Sequence, residues 1–512
     1  MLRSSAGILL SRVTGLLRDV YTAKYWGATG IAQAAYTTAF SVPNSLRALF
    51  GEGAFSGAFV PLISRELGAE RAQEAWKLAN RAITLQCVFL LAITGLGSVA
   101  ALLMHHFGIL CADNELNSTI FLILPLLLPF AILICAAAAF NGVLNSLKSF
   151  FIPTTIQLVF NLTQVATIIY LSCFWANTEL AALIIFCLST SFSGLLEILL
   201  LLVACRRKGY RFQFDCHWRH DNNLKTFMVN ILPGLAGSGV NQINSLVDKC
   251  LATLLGAGAI GALNYSQRLV YLPVGLFGVA MSMVCLPALS RATAKKDAQG
   301  IADSLNYAFR TVLFMALPCV AFLAPCGAEV IALLFKRGAF QQTAVDASAF
   351  ALAFYIIGVP AFCCAKIAIT PFHARLDTRT PMYVGIFCML LNLGLNLALM
   401  RPLKQGGFAL ATSISSWTNL VLLMYLNRRA LPDWSPKPLF TAACSLGLAA
   451  LFASFAAHKT ICLCRSFFTT SSFWTALFSA GIALAVCGCV YLAICLLFRR
   501  PELKELLKLR KR

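Results

Sequence analysis

Long apolar runs alternate with short polar or basic segments along the whole chain. Residues 118–147 begin STIFLILPLLLPFAILICAAAAF, and residues 474–498 read WTALFSAGIALAVCGCVYLAICLLF. About 20 apolar residues are enough for a helix to cross the hydrocarbon core of a bilayer. The pattern therefore predicts an all-α polytopic membrane protein with about 14 transmembrane helices. We place them near residues 4–26, 33–61, 80–104, 118–147, 152–174, 179–205, 226–255, 258–290, 311–335, 347–372, 380–400, 406–427, 438–457 and 473–498.

The composition supports this prediction. Hydrophobic residues make up 59% of the 512 residues and charged residues only 12%, whereas soluble domains carry about 25% charged residues. The 20 cysteines lie mostly inside the apolar runs, where cysteine behaves as a small hydrophobic residue. Their spacing matches no zinc site. We therefore expect neither a metal site nor a disulfide framework.

Basic residues concentrate in one set of alternate loops. Examples are RRKGYR at 206–211 and the tail RRPELKELLKLRKR at 499–512. Loops rich in Lys and Arg stay on the cytoplasmic side, so an even number of spans with both termini cytoplasmic is expected. Most of the net charge of +21 then reflects topology and contact with anionic membrane lipids. A nucleic-acid partner is not expected.

Several ionisable residues remain inside the predicted spans, where each costs a few kcal/mol, roughly, and usually faces a bundle interior or a cavity. Arg18–Asp19 and Asp248–Lys249 are candidate local pairs. Arg47 and Glu52 lie five residues apart, which is not the spacing of a same-face helical pair. The six cations outnumber the four acids, so an anion is the missing partner, and the planar fork of Arg suits phosphate. The cations are Arg12, Arg18, Arg47, Lys249, Arg268 and Lys366, and the acids are Asp19, Glu52, Glu197 and Asp248.

The chain contains an internal repeat. FSVPNSLRALFGEGAFSGAFVPLISR at 40–65 resembles YLPVGLFGVAMSMVCLPALSR at 271–291 when a gap of four residues is allowed. Transporters are often built from repeated bundles with the substrate site at their interface. The predicted organisation is two pseudo-repeated six-helix lobes at 1–205 and 226–430, a cytoplasmic linker at 206–225, two additional helices within 431–499 and a basic tail at 500–512.

Specific motifs resemble the MurJ (MviN) family. They are SRVTGLLRD at 11–19, VPNSLRALFGEGAFSGAFVP at 42–61, QRLVYLPVGLFGVA at 267–280, LPALSR at 286–291 and ARLDTRTP at 374–381. The resemblance implies a flippase, not an enzyme. Such a protein moves lipid II, the undecaprenyl-diphosphate-linked peptidoglycan precursor, across the bacterial inner membrane by alternating access. The resemblance implies roles in peptidoglycan biosynthesis and cell shape. It also implies a lipid-tail groove formed with the two added helices, and the cell-wall synthesis machinery as a candidate partner.

The resemblance also implies site residues. The head-group arginines fall on Arg12, Arg18, Arg47 and Arg268, with Asn44, Glu52 and Lys366 as supporting cavity residues. A candidate cation site is Asp248, Asn392 and Asn396, and the two asparagines are equally typical of interhelical hydrogen bonding. Where many members carry charged residues, this chain has Gln33, Ala48, Gln267 and Tyr271. The missing acids weigh against proton or carboxylate-switch mechanisms while leaving the phosphate contacts in place.

Alternative functions stay open at this point. No G-x-x-x-x-G-K-[ST] motif occurs in the sequence, so membrane potential or a gradient of Na⁺ or H⁺ is the expected driving force rather than ATP. A Wzx- or MATE-like exporter of another substrate is one alternative, although a cationic drug would require acids in the cavity. Others are a scaffold without transport and a membrane glycosyl- or acyltransferase. The transferase would need a His or paired acids near a membrane face, and the six histidines form no such arrangement.

Overall fold

The secondary structure is helical throughout the described part of the chain. The computed structural model describes residues 2–109, 114–149, 151–174, 178–218, 222–431, 434–467 and 473–503. Its helices are α1 Leu2–Trp26, α2 Ile31–Phe50, α3 Ala54–Gly68, α4 Ala72–His106, α5 Glu115–Ser146, α6 Phe151–Thr155, α7 Gln157–Phe174, α8 Glu179–Arg207, α9 Asn222–Ala252, α10 Ala257–Pro273, α11 Ala280–Ala294, α12 Ala298–Phe335, α13 Gln342–Ala368, α14 Thr370–Ala374, α15 Arg379–Leu403, α16 Gln405–Ala430, α17 Lys437–Phe467 and α18 Phe473–Leu497. A 3₁₀ turn at Thr253–Leu255 follows α9, and a π-helical turn at Val274–Val279 joins α10 to α11.

The prediction of an all-α polytopic membrane protein is confirmed. Within the described residues, 12 segments are long and apolar enough to cross a membrane. Two further long helices are more polar, namely α1 with 25 residues and α9 with 31 residues. They correspond to the predicted helices near 4–26 and 226–255, so the predicted number of 14 is approximate.

The chain divides into two compact units. Unit 1 comprises Met1–Ile260 with Arg337–Phe340, and unit 2 comprises Gly261–Lys336 with Gln341–Arg512. In unit 1, α5 packs against α2, α4 and α8, while α9 packs against α2 and α3. In unit 2, α16 packs against α13 and α15, and α12 packs against α13, α17 and α18. The lobe boundaries drawn from the sequence stay predictions.

Side chains donate to backbone carbonyls near prolines in two helices. Pro318 in α12 has no N–H to donate to the carbonyl of Phe314 four residues earlier. The hydroxyl of Tyr491 in α18 donates to that oxygen at 3.0 Å. In α13, near Pro360, the indole N–H of Trp417 donates to the carbonyl of Ile357 at 2.9 Å. Backbone groups in hydrocarbon must be satisfied within the protein, so Tyr491 replaces the hydrogen bond that Pro318 cannot make.

The connection after α8 is fixed to α4. The hydroxyl of Tyr210 donates to Asn80 Oδ1 at 2.7 Å, and the backbone N–H of Asp215 donates to Thr84 Oγ1 at 3.3 Å. Arg81 Nε donates to Asp215 Oδ2 at 2.9 Å. Residues 208–218, which we call the α8–α9 strap, thus lie against the beginning of α4 instead of forming a free linker.

Candidate anion-binding site

The predicted helix near 33–61 is interrupted in the structure. It ends as α2 at Phe50 and resumes as α3 at Ala54. Gly53 has φ 52° and ψ −96°, a backbone conformation that glycine adopts readily and other residues do not. A Cβ atom at Gly51 would lie 2.9 Å from the carbonyl oxygen of Arg47 and 3.1 Å from Cβ of Ala138. Glycine at both ends of the interruption therefore permits the turn and its close packing against α5.

Side chains of neighbouring helices donate to backbone carbonyl groups at this interruption and one turn before it. Gln86 Nε2 in α4 donates to the carbonyl of Phe50 at 2.6 Å. Cys135 Sγ in α5 lies 3.6 Å from the carbonyl oxygen of Leu46 and donates to it. The last carbonyl groups of a helix have no partner within the helix itself. These two side chains stabilise a discontinuous helix, an arrangement that transporters use at binding sites.

Arg47 lies one turn before the interruption and is oriented by two partners. Its Nε and Nη2 groups donate to Asn44 Oδ1 at 3.2 and 3.1 Å. Its Nη1 group donates to Glu52 Oε1, and the side chains of Arg47 and Glu52 are 26% and 55% exposed. The five-residue spacing does not match a same-face pair on a continuous helix, but the helix is interrupted between the two residues. The turn at Gly51–Gly53 redirects the chain and brings the carboxylate back to the guanidinium.

Arg18 is the second oriented arginine of unit 1. Its Nε and Nη2 groups donate to Asp19 Oδ1 at 3.2 and 2.9 Å, so the predicted local pair forms. Its Nη1 group donates to Asn161 Oδ1 in α7 at 3.2 Å, and the guanidinium lies 5.2 Å from the ring centroid of Phe160. Asn161 in turn donates to the carbonyl of Ser11 at 3.1 Å. The arginine is thus held by α1 and α7 together.

Of the other predicted cavity residues, Arg12 is on α1 in unit 1, and Arg268 and Lys366 are in unit 2. Arg12 is exposed on α1. In unit 2, Arg268 is exposed on α10 and Lys366 is exposed on α13. Gln267, beside Arg268, donates to the hydroxyl of Tyr355 at 2.8 Å. Of the predicted site residues, Arg47, Asn44 and Glu52 contact one another in unit 1. Arg268 and Lys366 belong to unit 2.

The candidate cation residues are found on two helices. Asn392 and Asn396 are buried on α15, and Asn396 Nδ2 donates to Asn392 Oδ1 at 3.0 Å. Asp248 is partly buried on α9 in unit 1. Within the described residues, no group of three or more His, Cys, Asp or Glu side chains is placed to hold a metal ion. A cation site at these residues stays a prediction.

Sequence reasoning recorded Glu197 only as an acid within a span. In the structure, Glu197 is 1% exposed on α8. The sequence pattern also assigned no role to a polar cluster in the same unit. There, the hydroxyls of Tyr36 and Thr190 are 3.1 Å apart, and Gln164 Nε2 donates to Thr190 Oγ1 at 3.1 Å. The available signal was the presence of Gln, Thr and Glu in otherwise apolar helices. Their partners, however, come from distant parts of the sequence.

These features define a class of protein. Many apolar spans, an internal repeat and an interrupted helix that carries an oriented arginine are typical of a multi-pass membrane transporter. The comparison with known families makes this specific. The model of the family described as lipid II flippase MurJ matches residues 22–486. The chain belongs to this family, whose members are flippases rather than enzymes.

Individual relatives agree with the family match. A probable lipid II flippase MurJ from Vibrio cholerae is 32% identical over 431 residues, covering 82% of this chain and 80% of the relative. A probable lipid II flippase MurJ from Rhizobium meliloti is 32% identical over 423 residues, covering 81% and 77%. The structure of a lipid II flippase MurJ in an inward closed conformation matches with a TM-score of 0.76 at 25% identity, covering 98% of this chain and 99% of that one. An inward-facing multidrug MATE transporter matches in fold, with a TM-score of 0.65 at 13% identity.

Proposed function

We propose that this chain moves lipid II across the bacterial inner membrane by alternating access, as part of peptidoglycan biosynthesis. The observation that carries the proposal is the family match over residues 22–486. The chain is a multi-pass membrane protein, and we assign both termini to the cytoplasm, which the distribution of Lys and Arg in its loops supports. Lipid II is the substrate we assign, because its diphosphate supplies the anion that the arginines require.

Arg12, Arg18, Arg47 and Arg268 are the residues we assign to the diphosphate and the sugar head group. The contacts of Arg47 favour this role. Arg47 is oriented by Asn44, a neutral amide, while its acidic partner Glu52 is more than half exposed. An exposed ion pair contributes little stability, so a diphosphate can replace Glu52 as the acceptor while Asn44 keeps the guanidinium in position.

The lipid tail has a suitable surface on the two added helices. Large apolar side chains of α17 are strongly exposed, including Phe440, Leu451 and Phe455. An apolar polyprenyl chain favours contact with such a surface or with lipid over water. We assign α17 and α18 to tail binding and α1, α2 and α10 to the head group.

The membrane potential is the energy source that we assign, because the diphosphate of the substrate is negatively charged. Moving one elementary charge through a potential of 100 mV corresponds to about 2.3 kcal/mol, and an exported diphosphate is favoured by an inside-negative membrane. Na⁺ is the alternative coupling ion, and Asp248, Asn392 and Asn396 are the residues we assign to it. Carboxylate and amide oxygens are typical ligands of hard cations.

Complementation tests the function and the site together. A bacterial host depleted of its own lipid II flippase would express this chain, and lipid II appearing on the outer leaflet would be measured. We expect export to be restored, and to be lost in Arg18→Ala, Arg47→Ala and Arg268→Ala. Arg206→Ala is the matched control, because Arg206 is exposed at the end of α8, outside the proposed site.

Two outcomes would count against the proposal. Full export by both Arg18→Ala and Arg268→Ala would exclude the arginine site. No export by the unmodified chain, with the protein stably inserted in the membrane, would exclude lipid II as the substrate in that host.

A further inference from the structure

Asn161 on α7 is a buried amide with a hydrogen-bond partner on each polar atom. Only 3% of the residue is exposed. Its Oδ1 atom accepts from Arg18 Nη1 at 3.2 Å. Its Nδ2 group donates to the carbonyl of Ser11 at 3.1 Å and to Thr14 Oγ1 at 3.3 Å. One side chain of α7 thus binds both the backbone of α1 and the arginine that α1 carries.

The partners of Asn161 determine which side chain can occupy the position. A guanidinium only donates hydrogen bonds, so the atom that faces Arg18 must be an acceptor. A backbone carbonyl only accepts, so the atom that faces Ser11 must be a donor. The Thr14 hydroxyl donates to the carbonyls of Leu10 and Ser11 at 3.0 Å each, which leaves its oxygen to accept from the amide. A carboxylate would lack the donor, and an apolar side chain would lack both groups.

Asp19 binds the same guanidinium, but it belongs to the same helix. It is the next residue on α1, and its Oδ1 atom accepts from Nε and Nη2 of Arg18 at 3.2 and 2.9 Å. This pair moves with α1 and cannot by itself fix the arginine relative to other helices. Asn161 lies on α7, so its hydrogen bond fixes the guanidinium relative to a second helix.

The residue before Asn161 adds an aromatic surface. The Arg18 guanidinium lies 5.2 Å from the ring centroid of Phe160, a distance at which the face of an aromatic ring attracts a cation. Phe160 is buried, and its ring centroid lies 5.8 Å from that of Phe40 on α2 and 5.5 Å from that of Phe130 on α5. Because two further helices hold this ring, α7 offers the arginine a fixed surface beside a fixed acceptor.

We propose that Asn161 is a positioning residue for lipid II binding, which orients the Arg18 guanidinium for the diphosphate. The inference rests on the proposed function, in which Arg18 is one of the residues that bind the head group. A flexible side chain that is fixed before the ligand arrives loses less freedom on binding. Asn161 is a neutral amide, so it orients the arginine without cancelling its positive charge. Asn44 makes the same kind of contact with Arg47 from within α2.

A double-mutant cycle tests whether Asn161 acts through Arg18. Calorimetry would give the lipid II affinity of the purified full-length protein in nanodiscs, for Asn161→Leu, Arg18→Ala and the double variant. We expect Asn161→Leu alone to weaken binding by about 10- to 100-fold, the range of a lost hydrogen bond to a charged group. In the Arg18→Ala background it should change the affinity by less than about twofold, because the group that it orients is absent. A loss of the same size in both backgrounds would overturn the proposal.

Asn161→Asp tests the requirement for an amide. The carboxylate keeps an acceptor for Arg18, but it lacks the donor for the Ser11 carbonyl and adds a negative charge beside the arginine. We expect this variant to weaken lipid II binding at least as much as Asn161→Leu. An affinity equal to that of the unmodified protein would contradict the role assigned to the amide.

Thr167→Val is the matched control, because it also removes a polar group from α7. The Thr167 hydroxyl donates to the carbonyl of Thr163 in its own helix at 2.9 Å, so the lipid II affinity should stay unchanged. Where Asn161→Leu is not stably inserted, Thr14→Val takes its place in the cycle, since it removes one partner of the amide. It should weaken binding by about fivefold, as for a neutral hydrogen bond, and only while Arg18 is present.

The outcomes separate this inference from the proposed function. Absence of lipid II binding by the unmodified protein would overturn the proposed function and the inference with it. Binding by the unmodified protein that neither Asn161→Leu nor Asn161→Asp weakens would overturn the inference alone.

Discussion

At the scale of single residues, the structure explains why arginine and asparagine occur together on α2. Asn44 Oδ1 accepts from both Nε and Nη2 of Arg47 at 3.2 and 3.1 Å. An amide holds the guanidinium in place without neutralising it, so an anion that replaces Glu52 at Nη1 meets a positively charged group that is already oriented. Lysine cannot make this contact, because its ammonium group lacks the planar fork.

We therefore expect Arg47→Lys to weaken lipid II binding by about 10- to 100-fold, the range that corresponds to a lost hydrogen bond to a charged group. The net charge is unchanged, so the loss reports on geometry. Binding affinity in nanodiscs measures the effect, with Arg206→Lys on the exposed end of α8 as the control. Equal affinity of Arg47→Lys and the unmodified protein would show that charge alone matters at this position.

Residue identity could be predicted from the sequence better than residue partnership. Arg18 and Arg47 stood out because charges are rare in apolar spans. The pair Arg18–Asp19 is adjacent in sequence and could be anticipated. The hydrogen bond from Arg18 to Asn161 spans 143 residues and depends on the packing of α1 against α7, which no local pattern encodes.

At the scale of helices, two long spans are interrupted in different ways. The segment Ile31–Gly68 turns between α2 and α3, and the segment Ala257–Ala294 contains the π-helical turn Val274–Val279. Each segment has 38 residues, and each contains one copy of the sequence repeat. A Cβ atom at Gly278 would lie 3.0 Å from Cα of Cys363, so the π turn packs directly on the backbone of α13. π-helical turns are frequent at functional sites.

Gly53→Ala tests the importance of the first interruption. Because Gly53 has a positive φ of 52°, we expect the substitution to destabilise the protein by about 1–3 kcal/mol. A Cβ atom there would meet only the carbonyl oxygen of Ala48, at 3.9 Å, so the effect is conformational and not steric. Thermal unfolding in detergent, followed by a thiol-reactive dye, measures it.

Gly57→Ala is the control for this experiment. Gly57 lies within α3, and a Cβ atom there would meet nothing within 4 Å. Alanine is favoured over glycine inside a helix by about 1 kcal/mol, so this variant should be at least as stable as the unmodified protein. A similar loss of stability in both variants would contradict the role assigned to the turn.

The helical elements were predictable, but their interruptions were not. Runs of about 20 apolar residues predict spans because the bilayer sets their length. The prolines of the repeat marked it as a place where helices bend. The turn at residues 51–53 depends on contacts from Gln86 and Cys135, which belong to other helices and which composition does not reveal.

At the scale of the whole molecule, the α8–α9 strap connects the two repeated halves of the sequence. Its residue Asp215 accepts hydrogen bonds from the backbone and side chain of His217 and from Arg81. Desolvation on its own raises the pKa of Asp215, but the hydrogen bonds from His217 and Arg81 outweigh it and hold the pKa below its usual value. The strap is thus attached to α4 by an ionised carboxylate.

The sign of the pH dependence follows from that lowered pKa. Asp215 stabilises the folded strap above the pKa of about 3.9 that an unfolded Asp has, and this contribution is lost as pH falls through the lower folded value. We expect hydrogen exchange of residues 210–218 to be slow at pH 7 and, after correction for intrinsic rates, faster below pH 4. Asp215→Asn should show the faster exchange at pH 7. Unchanged protection in this variant would mean that the contacts of Tyr210 with Asn80 and of the residue 215 backbone with Thr84 hold the strap without the carboxylate.

The contact between Tyr491 and Phe314 has a consequence for how this chain can change over evolutionary time. As long as α18 supplies its hydroxyl, a proline at position 318 in α12 is tolerated. Once that proline is present, deleting α18 leaves a bare carbonyl in hydrocarbon, which is strongly unfavourable. The order of the two changes therefore matters. A shortened descendant that lacks α18 would first have to replace Pro318. The hydroxyl oxygen of Tyr491 thus makes the added helix necessary.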